Sequence, residues 1–515
     1  MSLLSQSTAS VVTLRRLLPA ASLVGCADVR VSFATNRSGD CRPGCLFAVV
    51  RGHRADGHTF IADAISRGAA ALLVDHPLPD VPLPQCVVRD VRRAYGEICS
   101  ALNGFPARHL GITAVTGTNG KTTITWMIRS ILQAAGFRCG VLGTIEYSDG
   151  VRTERSRLTT PDPRSLAEWL GSMVAAGTTH AAIELSSHAL DQHRAAGTLI
   201  DAAVITNITQ DHFDYHQTFD AYRRAKLRIM DHVKPAGIAV INVDDPGSAS
   251  CLGDAIKRTV TYGLERPADV SATIQHESLQ GTRFTLRSQT DAIAMQTPLV
   301  GRHNVSNALA AAAVANHFGI DTADVAAGIA SLHAVPGRME RVSAGQPFEV
   351  FVDYAHTDDA LRRALQSLRK LTPGRLLVVF GAGGDRDRTK RPKLGQASAL
   401  ADQVIVTSDN PRSEDPERIL EDILAGCTAH TVRPHVDADR RRAIRWALEQ
   451  AGLGDCVLIA GKGHETEQII GSTAHHFDDR EVAQGELMAL FGRTAVAANR
   501  EAITLPAREC EGSRV

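Results

Sequence analysis

The segment Gly117-Thr118-Asn119-Gly120-Lys121-Thr122-Thr123 lies between an apolar run, Leu110 to Val115, and a stretch in which Ile124, Met127, Ile128, Ile131 and Leu132 recur at helical spacing. That order demands a buried strand, a tight glycine loop and a helix that starts at the loop. Two glycines let backbone N–H groups close around phosphate oxygens, the helix N-terminus adds a favourable dipole, Lys121 neutralises charge, and the Thr122 hydroxyl suits Mg²⁺. ATP binding is therefore expected at Gly117 through Thr123. The loop is a variant of the common GxxxxGK[ST] pattern, because Val115 stands where the first glycine would be and Gly117 is extra.

A chain of 515 residues exceeds what one hydrophobic core supports, so several domains are expected. Lys and Arg number 56, as do Asp and Glu, and the zero formal charge gives no overall pull toward nucleic acid or a membrane surface. The ten cysteines are scattered without zinc-site spacing, which suits reduced core thiols in a cytosolic enzyme. No apolar run approaches the roughly 18 residues of a membrane span. Arg15, Arg16 and the apolar Leu17 to Gly25 before Cys26 imitate an export signal, but Pro19 interrupts a short run, and a first amphipathic helix is the expectation.

The alternation of short apolar runs with helical stretches gives an α/β chain in three segments, 1–108, 109–336 and 337–515, divided near Pro106 and Gly337. Strands are expected at Cys45 to Val50, Ala70 to Val74 and Gln85 to Val88, then at His180 to Leu185, Ala202 to Ile208 and Gly237 to Val243. In the last segment they are expected at Phe348 to Val352, Arg375 to Phe380, Gln403 to Thr407 and Cys456 to Ala460. The middle pattern is that of a parallel sheet with helices on both faces. Gly381-Ala382-Gly383-Gly384 does not spell a dinucleotide fingerprint. From about 492 the tail reads as polar and mobile.

Glu184 ends one central strand and His212 follows another, so both should emerge at the carboxyl rim that carries the phosphate loop, where Mg²⁺ must be held. Either alone also fits a hydrogen-bonded loop residue. Lys226 is the odd residue. In the helix expected from Phe219 to Val233 it falls on the apolar stripe of Phe219, Tyr222, Ile229, Met230 and Val233. Stereochemistry alone favours an amine snorkelling to water or paired to an acid. The other reading is an amine that takes up CO₂ as a carbamate, which turns a cation into an anionic oxygen ligand for Mg²⁺.

Thr116 to Thr123 (TGTNGKTT), Glu184 to Arg194 (ELSSHALDQHR), Thr206 to His216 (TNITQDHFDYH) and Tyr222 to Lys226 (YRRAK) together resemble the ATP-dependent Mur ligases of peptidoglycan synthesis. Asp353 to His356 (DYAH), Gly383 to Lys390 (GGDRDRTK), Asp409 to Arg412 (DNPR) and Gly461 to Glu465 (GKGHE) are similar to the branch that adds meso-diaminopimelate. The resemblance runs from about Ser38 to Leu490. It implies an N-terminal domain binding the UDP-sugar, a central ATP-binding domain and a Rossmann-like C-terminal domain binding the amino acid.

The resemblance also implies roles. Lys121, Glu184, His212 and Lys226 would be catalytic, with Thr122, Glu184, His212 and carbamylated Lys226 around Mg²⁺. Thr159, Thr160, Ser186, Gln192 and Arg194 would hold the UDP-N-acetylmuramoyl dipeptide, and Ser38, His53, Arg54 and Ala55 its uridine. Asn304, Asn307, Arg338, Asp353 and His356 match the region that orients adenosine and the hinge. Arg386, Asp409, Asn410, Pro411, Arg412, Gly461 and Glu465 would receive diaminopimelate, Arg412 gripping its far carboxylate. Domain closure would exclude water from an acyl-phosphate intermediate. A cytoplasmic monomer acting on small molecules is implied. Lysine-adding or folylpolyglutamate-type ligases are the alternatives, disfavoured by DNPR together with GKGHE. The family's Asp-Ser-Arg appears here as Arg37-Ser38-Gly39, which puts the uridine contact of that segment in question.

Overall fold

The computed structural model describes residues 11–52, 55–209, 213–254, 258–288, 291–429 and 432–502. His53, Arg54 and His212 lie outside the described residues. The chain forms two compact units, one from residues 1–275, 283–297 and 303–332, the other from residues 276–282, 298–302 and 333–515.

The first unit begins with a five-stranded sheet in the order Ser22–Val24, Gln85–Val87, Ala69–Val74, Cys45–Ala48, Ala34–Thr35. Helix Val91–Leu102, capped by the Asp90 carboxylate, lays Tyr95, Ile98 and Cys99 on one face of this sheet. The same helix meets the central part of the unit, where Ser100 Oγ donates to Gly197 O at 2.9 Å. The expected first amphipathic helix is a single turn, Leu14–Leu17. Pro19 ends it, and Ser22–Val24 continues as an edge strand against Gln85–Val87.

Eleven strands form the central sheet. Its parallel heart runs Cys139–Leu142, His180–Glu184, Gly111–Thr116, Ile200–Ile205, Val233–Asn242, Arg258–Gly263. These strands are rich in buried Val, Ile and Ala because helices cover both faces. Helix Pro163–Ala175 packs Leu166, Trp169 and Met173 into the core with Ile112, Ile183 and Ile205. The strand expected at Gly237 instead starts at Val233. The helix expected to reach that residue ends at Leu227 and passes through a 3-10 turn, Arg228–His232.

In the second unit six strands run in the order Glu340–Arg341, Glu349–Asp353, Cys456–Ala460, Leu376–Phe380, Gln403–Thr407, His435–Asp437, all parallel except the first pair. Helices Asp358–Leu371, Lys390–Ala397 and Pro416–Leu424 cover one face, while Arg440–Gln450 and the start of Asp479–Ala502 cover the other. Cys456–Ala460 thus leads toward the opposite face from its two neighbours, which opens a crevice at their carboxyl ends. The last helix runs to Ala502, so the tail expected to be mobile from 492 is helical that far. Residues 503–515 lie outside the described residues.

The cysteines Cys45, Cys86, Cys99, Cys139, Cys251 and Cys456 are buried free thiols. Burial pushes Cys99, Cys139 and Cys456 up to about 12.

One ion pair ties the second sheet to both of its outer helices. Arg440 and Asp479 have side chains with no exposed surface, and two parallel bonds of 2.7 Å join them. Arg440 also donates to Ala460 O at 2.9 Å and Ser408 O at 3.3 Å, at the strand ends where the crevice opens. Removing one partner of such a pair leaves an uncompensated buried charge. Asp479→Asn is expected to cost about 3–5 kcal/mol, read as a lowered urea midpoint of this unit; an unchanged midpoint would contradict the role given to the pair.

Candidate active site

The carboxyl rim of the central sheet is assembled by register. Glu184 pairs with Val115, and Thr116 pairs with Ile205, so the ends of three neighbouring parallel strands lie side by side. Gly117 to Gly120 leaves the middle strand with φ +147° at Gly117 and +88° at Gly120. A Cβ at Gly120 would stand 2.7 Å from Asn307 Oδ1, and one at Gly117 would run into Thr206 Oγ1. The loop is clasped from the adjacent strand end. Thr118 N donates to Asn207 O at 2.8 Å, Asn119 N to Asn207 Oδ1 at 2.9 Å, and Thr206 Oγ1 to Asn119 O at 2.6 Å. Helix Lys121–Ala134 then starts with Thr122 and Thr123 both buried in its first turn.

Lys226 is 1% exposed, and its amine reaches the phosphate loop. Its Nζ donates to Gly117 O at 2.8 Å and stands 4.5 Å from the Tyr222 ring centroid. Lys121 Nζ donates to the same carbonyl at 2.8 Å and to Thr118 O at 2.9 Å. Two lysine amines thus converge on one oxygen, an arrangement of like charges. A carbamate on Lys226 fits it, because the modified nitrogen retains one N–H for Gly117 O while its oxygens become anionic beside Lys121.

The carboxylate of Glu184, 1% exposed, accepts from Thr144 N and from Thr144 Oγ1, both at 2.9 Å, one bond to each oxygen. Two donors leave acceptor capacity on each oxygen. Hard oxygen donors, the Thr122 hydroxyl and the Glu184 carboxylate, suit Mg²⁺. Behind Glu184 the chain folds into one polar network. Thr160 Oγ1 donates to Glu184 O at 2.7 Å and accepts from Ser186 N at 3.0 Å. Ser186 Oγ caps helix Ser187–Asp191. Arg194 donates to Thr160 O at 3.0 Å and, through two nitrogens, to Gln192 Oε1 at 3.1 and 2.8 Å. Thr159 joins through Thr144: with the Thr144 hydrogen directed to Glu184, the Thr159 hydroxyl donates to Thr144 Oγ1 across 3.2 Å. The structure therefore brings Thr159, Thr160, Ser186, Gln192 and Arg194 together with Glu184.

A cavity of about 150 Å³ opens near this network, lined among others by Thr35, Arg37, Tyr147, Arg157 and Arg164. Ser38 does not line it; its hydroxyl hydrogen-bonds Asp63 and holds that carboxyl below its usual range. The Ala55 carbonyl accepts from Gly52 N at 2.9 Å. Asn304 and Asn307, both buried on helix Arg302–His317, are joined at 3.1 Å, and Asn307 reaches Gly120.

In the second unit Arg338 lies over the Tyr354 ring at 4.6 Å, and His356 packs on the same ring at 4.5 Å. Asp353 accepts from Met339 N and Ala355 N at 2.7 and 2.9 Å. Burial pushes its carboxyl up, against the pull of Arg338. Asp409 and Asn410 are buried at the end of Gln403–Thr407. Asn410 is the hub, donating to Glu465 Oε2 at 2.9 Å while its Oδ1 accepts from Ile469 N at 2.9 Å and from buried Lys462 at 3.3 Å. Gly461, with φ +114°, passes so close to Asp409 that a Cβ would lie 2.7 Å from Oδ2. Pro411 packs its carbonyl against Gly384. Arg412 has a left-handed backbone, φ +53°, held by Arg412 N to Ile469 O at 3.0 Å and Gly471 N to Arg412 O at 2.7 Å. Its guanidinium donates to Gly384 O at 2.7 Å, which fixes the fork's direction. Arg386 is exposed on the loop beside Gly383. Buried Arg391 bonds both oxygens of Glu414, at 3.0 and 2.7 Å, and holds that carboxyl down at about 2, anchoring the segment that follows Arg412.

Sequence reasoning gave no role to Thr144, Asn207, Arg37, Arg164 or Lys462. Asn207 carried a signal, since it follows a central strand. Thr144 carried none, because only the folded register sets it against Glu184.

Three family models match the chain. Residues 30–101 match the Mur ligase family catalytic domain, residues 115–315 the Mur ligase middle domain, and residues 337–463 the Mur ligase glutamate ligase domain. Among similar proteins is a UDP-N-acetylmuramoyl-L-alanyl-D-glutamate–2,6-diaminopimelate ligase of Gloeobacter violaceus, 44% identical over 464 residues, 89% of this chain and 94% of the relative. A protein of the same name from Geobacillus kaustophilus is 44% identical over 449 residues, 86% and 91% of the two chains. A solved structure titled with that ligase's name superposes with a TM-score of 0.67 at 34% identity, covering 93% of this chain and 99% of the other. The chain belongs to the Mur ligase family.

Proposed function

We propose that the chain is an ATP-dependent peptide ligase of the cytoplasm that joins meso-2,6-diaminopimelate to UDP-N-acetylmuramoyl-L-alanyl-D-glutamate in peptidoglycan precursor synthesis. The identity of about 44% to ligases of that name, over nearly the full length of both chains, carries the reading. The division of labour we propose is residues 1–108 for the uridine nucleotide, 109–336 for ATP and 337–515 for the incoming amino acid. No helix among the described residues is long and apolar enough to cross a membrane.

A carboxylate is a poor electrophile, so the free D-glutamyl carboxylate must first take the γ-phosphoryl group of ATP, giving an acyl phosphate and ADP. The diaminopimelate amine then attacks the acyl carbon, and the tetrahedral species expels phosphate. Gly117 to Thr123 supply the cradle for the phosphates, and Lys121 offsets negative charge as two anions approach. Thr122, Glu184 and carbamylated Lys226 would hold Mg²⁺, which supplies further charge neutralisation at the transferring group. Thr159, Thr160, Ser186, Gln192 and Arg194 line the approach of the dipeptide, with the Glu184–Thr160 bond coupling that subsite to the phosphate rim. Asn304 and Asn307 suit the nucleoside end of ATP, and Arg338, Asp353 and His356 the linker.

The far end of meso-diaminopimelate carries one carboxylate and one ammonium. Arg412 offers a directed guanidinium and Glu465 a carboxylate, both attached to the Asp409–Arg412 segment. L-lysine has no far carboxylate and would leave Arg412 facing nothing.

Phosphate release with ATP, Mg²⁺ and the UDP-dipeptide should require diaminopimelate and yield the matching tripeptide mass; release with L-lysine instead would overturn the pocket. Arg412→Ala should lower kcat/KM for diaminopimelate on the order of a hundredfold, the equivalent of about 2–4 kcal/mol of lost charge-assisted bonding, while the KM for ATP stays unchanged. Unaltered diaminopimelate kinetics would remove Arg412 from specificity. Lys226→Ala should be inactive and partly rescued by a short-chain carboxylate in the buffer, whereas full activity without additive would remove the carbamate from the mechanism.

A further inference from the structure

The N-terminal sheet carries a cluster of ligating groups that ligation does not use. His58 lies in the 3-10 turn Gly57–Phe60, and Asp75 and His76 follow directly on strand Ala69–Val74. One ligating atom from each of the three lies within 4.8 Å of the others. The two imidazole rings stack, with centroids 5.3 Å apart and planes at 25°.

The hydrogen bonds fix which atoms face the cluster. Asp56 caps the turn, its Oδ1 accepting from His58 N at 3.0 Å and from His58 Nδ1 at 2.6 Å. A carboxylate only accepts, so Nδ1 carries the hydrogen and the lone pair of the neutral ring is on Nε2. That Nε2 is buried, has no hydrogen-bond partner, and lies 3.8 Å from Asp75 Oδ1. His76 Nδ1 stands 2.5 Å from the same oxygen. Arg51 takes the other oxygen, Oδ2, at 3.4 Å, and so leaves Oδ1 to the cluster. A nitrogen lone pair aimed at a carboxylate oxygen is repulsive until a cation stands between them. The Asp56–His58 pair is also the arrangement by which a carboxylate sets the tautomer and raises the basicity of a metal-bound imidazole.

We infer that His58 Nε2, Asp75 Oδ1 and His76 Nδ1 form a site for a divalent transition-metal cation of the zinc class, with Asp56 as its positioning residue. Two imidazoles and one carboxylate are a borderline nitrogen and oxygen set, unlike the hard oxygens of the phosphate rim. The side chain of His76 is half-exposed, which gives the ion entry and leaves a fourth position for water. His76 Nδ1 now donates to Asp75 Oδ1, so binding requires the ring to take its other tautomer, with the hydrogen on Nε2 and the Nδ1 lone pair on the ion. The ion ties the Gly57–Phe60 turn to the carboxyl end of strand Ala69–Val74.

The test is Zn²⁺ titration of the chelator-stripped full chain by calorimetry, with saturating Mg²⁺ present, alongside the visible spectrum of the Co²⁺ form. The wild type should bind one equivalent that His76→Ala lacks, and Asp56→Asn should retain it with about 10- to 100-fold weaker affinity. His58→Ala should match His76→Ala in the titration, and both should lose the four-coordinate Co²⁺ bands. His76 is an exposed position, so its variant separates loss of the ion from loss of the turn. Equal zinc stoichiometry and affinity in wild type and His76→Ala, or a wild type that binds no zinc, would overturn the site.

Discussion

The carbonyl oxygen of Gly117 organises the centre of the molecule. It accepts from Lys121 of the helix that the loop begins and from Lys226 of a helix more than a hundred residues later. That convergence is possible only because the preceding strand is central in a parallel sheet and the loop leaving it has no Cβ to strike Thr206. Every other part of the rim is measured from there. Asn207 clasps the loop from one side, and on the other Glu184 pairs with Val115, which fixes the carboxylate's height above the sheet. Thr160 then transfers that height to the Arg194 network through the main chain of Glu184.

The second unit solves a similar problem with different means. Its crevice opens where Cys456–Ala460 leads to one face and its neighbours to the other, and Asn410 fills the gap with an amide that serves three partners at once. An amide can donate and accept together, so it joins Glu465, Lys462 and the Ile469 backbone where a carboxylate could not. Arg412 pays for its direction with a left-handed backbone, held by the strand Glu467–Ile470.

The phosphate loop, the parallel strands and the core-facing position of Lys226 were legible in the sequence, because glycine spacing, β-branched runs and an apolar stripe each report a local periodicity. The Lys226 amine does not snorkel to water as stereochemistry alone favours, but is buried against Gly117 O. The motif resemblance added groupings that periodicity cannot give, and Thr159 through Arg194 do gather around Glu184. What stayed hidden depended on long-range register. Thr144 meets Glu184 across forty residues of chain, and Arg37, before the turn Ser38–Asp40, and Arg164, on helix Pro163–Ala175, line one cavity from distant parts of the sequence. Ends of elements were also misjudged. Val233 continues the apolar stripe of the preceding helix, yet it begins a strand because sheet pairing with Ile200 outweighs local spacing. The edge strands beyond Arg258 are half-exposed and carry little apolar pattern.

The buried thiols have a use unconnected with catalysis. Cys99 sits under the first sheet, Cys139 in the central one and Cys456 in the last, and burial keeps all three protonated and shielded at neutral pH. A thiol reagent can reach each only after its own region opens. The buried thiols, these three with Cys45, Cys86 and Cys251, therefore act as internal reporters of local unfolding in the first, central and last large sheets, whose separate labelling rates would map how independently the parts of the molecule breathe.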